Sequence, residues 1–220
     1  MDRTYPDGRK IHLSLVANRS HLECVNPVVC GKARAKQFYC CNNPEDVRNV
    51  VPILLHGDAS FAGQGVVYET MQLARVDDFN VGGTIHVIVN NQIGFTTNPI
   101  NSRSTPYASD LGKAFNCPIF HVNGDDPIAV ARALKTSIEF RHEWGSDVVI
   151  DMICYRRLGH NEMDQPMFTE PTLYKAITSQ PSTLDVYEKR LIEEGTLTKE
   201  EVQEIRDFTL QSYEADYEAS

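Results

Sequence analysis

His56-Gly57-Asp58-Ala59 and Asn90-Asn91-Gln92-Ile93 are the two stretches that decide the fold. Each closes an apolar, β-branched run, and Asp58 and Asn91 stand 33 positions apart. One strand-helix-strand unit uses about 30 residues, so this spacing returns the chain to the same edge of a parallel sheet. Both side chains then lie at neighbouring strand C-termini, where open α/β sheets bind ligands. An Asp carboxylate, an Asn carboxamide oxygen and a nearby main-chain carbonyl are hard oxygen donors, the kind magnesium takes when phosphate oxygens complete its octahedron. Gly57, Ala59, Gly63 and Gly65 let the main chain approach such phosphates, and a helix N-terminus expected near Gly65 favours their charge. Taken alone, each half also reads as ordinary: Gly-Asp is a common turn after a strand, and Asn-Asn a common loop.

Outward from these stretches, Val51 to Tyr155 alternates short β-branched runs with amphipathic helical patterns. That alternation predicts an α/β fold with a doubly wound, mostly parallel sheet. Strands are expected at Val51–Leu55, Thr84–Val89, Pro118–Val122 and Val148–Cys154, apolar enough to be covered on both faces. Helices are expected from Gly65 through Ala74 and from Pro127 through Trp144, the second capped by Asp126 with Pro127 at its first position. A further strand is expected at Ile11–Val16, then a helix from Ser20 or Leu22 into Lys32–Lys36. Arg156 to Pro171 has no period and reads as a long loop, a kind more often functional than idle. The charged remainder reads as solvated C-terminal helices broken at Pro181 and Gly195, with a capping box at Thr198-Lys199-Glu200-Glu201. The expected division is an α/β domain over residues 1–171 and a helical linker over 172–220.

Across 220 residues the composition is 41% hydrophobic and the formal charge is -9, which suits one ordinary domain and offers no clustered basic footprint. Neither nucleic acid nor an anionic membrane surface is therefore an expected partner. No apolar run approaches the roughly 18 residues of a membrane span, and the first residues read as no targeting segment. The six cysteines contain no C-x-x-C pair, so they read as reduced thiols behaving as small hydrophobes.

Gly-Asp followed about thirty residues later by Asn-Asn resembles the thiamine diphosphate motif, with Ala59 where a third Gly is usual. Longer strings narrow the resemblance. Ser14-Leu15-Val16-Ala17-Asn18-Arg19-Ser20-His21-Leu22-Glu23, Phe61 to Thr70, Asn91-Gln92-Ile93-Gly94-Phe95-Thr96-Thr97 and Tyr155 to Glu162 resemble the first component of 2-oxoglutarate dehydrogenase complexes. The Ser-His-Leu-Glu string separates that family from the pyruvate and branched-chain enzymes. The similarity runs from about Asp2 to at least Tyr174 and thins through the C-terminal helices.

The resemblance implies a thiamine diphosphate-binding fold in which Asp58, Asn91 and the Ile93 carbonyl ligate Mg2+, with Gly57 and Ala59 beside the cofactor. It implies that His21 is the active-site histidine near the 2-oxo acid; alone, His21 would read as a helix-start residue. Arg19 stands where the family usually has Pro, which bears on how His21 is set. His160 is a candidate contact to cofactor or a facing subunit, and a loop hydrogen bond explains it equally well. Arg103 is a candidate for positioning substrate, whereas Asp125-Asp126 reads better as a helix cap than as a metal site. The implied activity is oxidative decarboxylation of 2-oxoglutarate in the tricarboxylic acid cycle, with succinyl transfer to a lipoyl group on the second component. A homodimer and a mitochondrial matrix location are implied by the family's usual form and role. The pyrimidine-binding domain follows in the family, so this chain alone is expected to bind cofactor weakly and not to turn over. A non-catalytic subunit of the complex and 2-oxoadipate as substrate remain open alternatives.

Overall fold

The computed structural model describes residues 1–17, 21–40 and 43–219, leaving aside the side chains of residues 44–46. Arg19 and Ser20 lie outside the described residues, and so does any effect of Arg19 on His21. Four strands, β3 (Ile53–Gly57), β4 (Ile85–Asn90), β5 (Ile119–Asn123) and β6 (Val148–Ile153), form one parallel sheet in the order β3-β4-β6-β5. Ahead of it stand a hairpin of β1 (Asp2–Thr4) and β2 (Lys10–His12) and the helix α1 (Val25–Cys40). Between β3 and β4 run α2 (Asp58–Gly63) and α3 (Gly65–Gln72). The short α4 (Pro99–Ser102) and a 3-10 segment at Ala108–Phe115 follow β4, and α5 (Pro127–Trp144) joins β5 to β6. The chain closes with α6 (Pro171–Ser179), α7 (Thr183–Glu193) and α8 (Lys199–Glu218).

Handedness places the layers. The β3-to-β4 and β4-to-β5 connections step the same way along the sheet, while β5-to-β6 steps back. Right-handed crossovers then put the first two on one face and α5 on the other. The core divides accordingly. Phe61, Val67, Met71, Ile88 and Val149 pack with Leu111 and Phe115 on one side. Ile85, Val87, Val122 and Ile150 pack with Ala129, Ala133 and Leu134 of α5 on the other. Adjacent residues Val149 and Ile150 serve opposite faces, as strand geometry requires. At about 25 cal/mol per Å2, each such fully buried aliphatic side chain contributes about 1.5–3 kcal/mol.

Helix ends follow local chemistry. Asp126 accepts from the Ala129 amide at 3.0 Å, Pro127 opens α5, and Gly145 ends it at φ +59°. The box at Thr198 and Glu201 opens α8, and a second one, Ser182 with Asp185, opens α7.

Three expectations need correction. The strand at Ile11–Val16 shrinks to Lys10–His12, whose ladder partners are Asp2–Thr4; beyond it Leu13 bonds to the first residue, Met1, and Leu13 and Leu15 are exposed. The helix expected from Ser20 or Leu22 begins at Val25, after a turn. The helix expected near Gly65 does start there, as α3, and a short helix that was not expected, α2, starts seven residues earlier at Asp58 itself. Finally, β3 is covered on one face only: Leu54 and His56 are buried, but Ile53 and Leu55 are 50% and 73% exposed. The helix α5 packs on β4, β5 and β6 and leaves this edge strand bare.

Candidate diphosphate and metal half-site

In the parallel register Gly57 lies beside Val89, so β3 and β4 end together and release Asp58 and Asn91 at one edge. Asp58, in the first turn of α2, is 2% exposed. Its Oδ1 has no hydrogen-bond partner, and its Oδ2 is 3.7 Å from Nη1 of Arg103. Burial pushes the Asp58 carboxyl up, Arg103 and local amides pull it down, Asp151 adds to the rise, and the balance is a raised value. A buried carboxylate oxygen with nothing bound to it is costly, and a cation is what would satisfy it.

The Asn91 turn is set against that carboxylate's neighbour. Gln92 at φ +62° and Phe95 at φ +59° turn the chain sharply, and the Asn91 Oδ1 accepts from the Ile93 amide at 3.3 Å. Gly94 is close enough to Ala59 that a Cβ built there would sit 3.6 Å from the Ala59 Cβ. Gln92 donates to the Cys154 carbonyl at 3.0 Å, tying the turn to the end of β6. Asn90 donates to the buried Asp151 at 3.0 Å, which also takes Ser109 Oγ at 3.0 Å and lies 3.2 Å from the His121 Nδ1. The structure therefore brings Gly57, Asp58, Ala59, Asn91 and Ile93 to one strand edge, with Arg103 beside them. Among the described residues no group of three His, Cys, Asp or Glu side chains is arranged for a metal. An acid, an amide and a carbonyl awaiting phosphate oxygens is a different donor set, and the orphaned Asp58 oxygen fits it.

His21 stands in an exposed turn, its Nδ1 3.0 Å from the Leu22 carbonyl and 3.0 Å from the Cys24 Sγ. His160 is held in its own loop, its amide donating to Asp164 at 2.7 Å and its Nδ1 3.4 Å from Arg156. Asp126 caps α5 as expected, and Asp125 accepts from Thr183. The Cys117 and Cys154 thiols are pushed up by burial to about 12 and about 11, which keeps them protonated and unreactive. A cavity of ≈ 310 Å3 between α1 and α3 is lined by residues including Cys30, Met71, His86 and Asp147, and by neither Asp58 nor Asn91. The candidate site lies instead at the strand ends.

Sequence reasoning missed a buried polar chain behind this edge. Glu23 lies 2.6 Å from the His56 Nδ1, His56 Nε2 lies 3.1 Å from the His86 Nδ1, and His86 Nε2 is 3.5 Å from Asp147. Burial pushes the His56 imidazole down; burial pushes the Glu23 carboxyl up, but His56, Ser60 and Asn26 together hold it below the usual range. A neutral His56 then donates from Nδ1 to Glu23 and accepts at Nε2 from His86. The signal was available: a histidine inside each of two apolar strands must find a partner.

A parallel α/β sheet that gathers an unsatisfied acid and an amide-rich turn at its C-terminal edge is that of a ligand-binding protein of the doubly wound class. The chain belongs to the dehydrogenase E1 component family, whose model matches residues 4–219. It is 52% identical to proteins named 2-oxoglutarate dehydrogenase E1 component from Brucella ovis, Brucella canis and Brucella suis. Each alignment takes in 99% of this chain and 22% of the relative, so the chain spans about a fifth of the length of these proteins.

Proposed function

We propose that this chain carries the magnesium and diphosphate half-site of a thiamine diphosphate-dependent 2-oxoglutarate dehydrogenase first component. The observation that supports this most is the buried, unpartnered Asp58 Oδ1 beside the Asn91–Gly94 turn, in a chain half identical to proteins of that name. Asp58, Asn91 and the Ile93 carbonyl would hold Mg2+, while Gly57 and Ala59 keep the main chain free of bulk next to the diphosphate. Bound thiamine diphosphate would supply the nucleophilic carbon and the electron sink for decarboxylation.

The chain's own residues bind and orient. Arg103, whose Nε and Nη1 are buried without hydrogen bonds, offsets the Asp58 charge and faces incoming anionic oxygens. His21 offers an exposed imidazole for hydrogen bonding to the 2-oxo acid or for moving a proton. The whole reaction would be the oxidative decarboxylation of 2-oxoglutarate with succinyl transfer to a lipoyl-bearing second component, carried out by a homodimer. Neither 2-oxoadipate nor a non-catalytic role has an observation of its own in favour. The three relatives are bacterial and lend no support to a mitochondrial matrix address; among the described residues no helix is long and apolar enough to cross a membrane.

Isothermal titration of thiamine diphosphate into the purified chain, with and without magnesium, tests the half-site. The expected result is magnesium-dependent binding that Asp58→Ala weakens by at least about tenfold, the usual effect of losing a metal-shell residue. Binding that ignores magnesium, or that Asp58→Ala leaves intact, would sink the reading.

A further inference from the structure

Glu23 is two residues from His21 in sequence, yet its carboxylate reaches the residues on either side of Asp58. Its Oε2 is 2.6 Å from the His56 Nδ1 and accepts from Asn26 Nδ2 at 2.7 Å; its Oε1 accepts from Ser60 Oγ at 2.6 Å. His56 and Ser60 are the residues two before and two after Asp58. One side chain therefore grips both flanks of the Asp58 turn. Glu23 is 6% exposed and sits at φ +69°, a left-handed conformation that a non-glycine residue keeps only where its surroundings dictate it. Its carbonyl also accepts from the Asn26 amide at 3.0 Å, at the start of α1. Buried charge is a poor source of stability compared with apolar packing, and its best-attested use is to fix one arrangement against others.

We propose that Glu23 is a positioning residue whose buried carboxylate locks the turn bearing His21 to the strand end bearing Asp58, so that one side chain sets the spacing between the substrate-side imidazole and the metal-side carboxylate. The proposal rests on the half-site reading for its consequence, and on geometry alone for the lock. No other side-chain hydrogen bond or ion pair found among the described residues joins the Leu22–Asn26 segment to both flanks of Asp58. Because both carboxylate oxygens are engaged, shortening or removing the side chain frees the two turns from each other while the sheet behind them keeps its packing.

Hydrogen exchange of the ligand-free chain tests the lock, comparing Glu23→Ala, Glu23→Gln and Ser60→Ala with Ile177→Ala, a remote core truncation. In Glu23→Ala, exchange should rise at least about tenfold in residues 21–27 and 56–62 together, with β6 keeping its native rates, since local opening is separable from global unfolding. Ser60→Ala, which keeps the glutamate and should fold if Glu23→Ala does not, should show the same paired pattern at smaller amplitude. Glu23→Gln, able to accept from His56, should stay near the native rates. Ile177→Ala should leave both segments alone. In a parallel titration with magnesium and thiamine diphosphate, Glu23→Ala should bind at least about tenfold more weakly and Glu23→Gln should recover most of the affinity. A uniform rise in exchange across the sheet, or a rise in one segment without the other, would overturn the lock, as would a glutamine variant no better than alanine. If the native chain binds no magnesium-dependent cofactor, the half-site reading falls, and the exchange comparison still decides the lock.

Discussion

Asp58 concentrates at a single side chain the conflict between folding and the proposed metal site. Its folded-state proton affinity is raised by burial above the ordinary value of 3.8, so the folded chain holds that proton more tightly than the unfolded one. Stability therefore falls as pH rises from 3.8 through the raised folded value. Asp58→Asn removes the charge, and at pH 7 without metal it should stabilise the chain by about 1 kcal/mol, about 2–4 °C in Tm at this size. Near pH 3 the gain should vanish, because both chains are then neutral at that position. Thermal melts at the two pH values check this, and a lower Tm for the variant at pH 7 would contradict it. The placement of Asp58 and Asn91 at one strand edge was legible because it follows from spacing along the chain. Glu23 was not, since its partners come from 33 and 37 residues away and only the fold brings them together.

Among elements, α5 shows what regular patterns reveal and what they hide. Its bounds, Pro127 to Trp144, follow from Asp126, Pro127 and Gly145, all local signals. Its most consequential side chain does not. Arg141 is fully buried and donates to the carbonyls of Arg48, Val50, Val81 and Gly83, knitting the helix to the loops that lead into β3 and β4. Burial draws its pKa down to about 10, which still leaves it charged at neutral pH. Arg141→Met should strand those acceptors and destabilise the chain by about 3 kcal/mol in urea titration, since each buried unsatisfied group costs about 1–3 kcal/mol. A loss under about 1 kcal/mol would mean that water replaces the guanidinium there. Gly83 explains why the helix can come so near: at φ +91°, a Cβ on it would lie 2.4 Å from the Ser146 carbonyl. Gly83→Ala should therefore destabilise the chain by at least about 2 kcal/mol, read in the same titration. The four parallel strands were legible to within two residues because apolar runs announce them. The β1–β2 hairpin was only half seen, its first strand missed and its second overextended, because its strands are three residues each and exposed.

For the whole molecule, the governing fact is that the chain matches 22% of each relative's length. Supplied with magnesium, thiamine diphosphate and 2-oxoglutarate, it should release no carbon dioxide above a protein-free control, measured from carboxyl-labelled substrate. Release that depends on the chain would mean that a chain about a fifth of its relatives' length suffices. The bare face of β3 carries a different consequence, for handling. An edge strand leaves a row of main-chain donors and acceptors unpaired, and here Ile53 and Leu55 add grease beside it. Such a rim is a template on which further strands can lengthen the sheet from one molecule to the next. Stored concentrated, the protein should cloud with time, and light scattering should rise more slowly in Leu55→Lys, whose charge spoils the seam. The bottle on the shelf would then be reporting how a sheet ends.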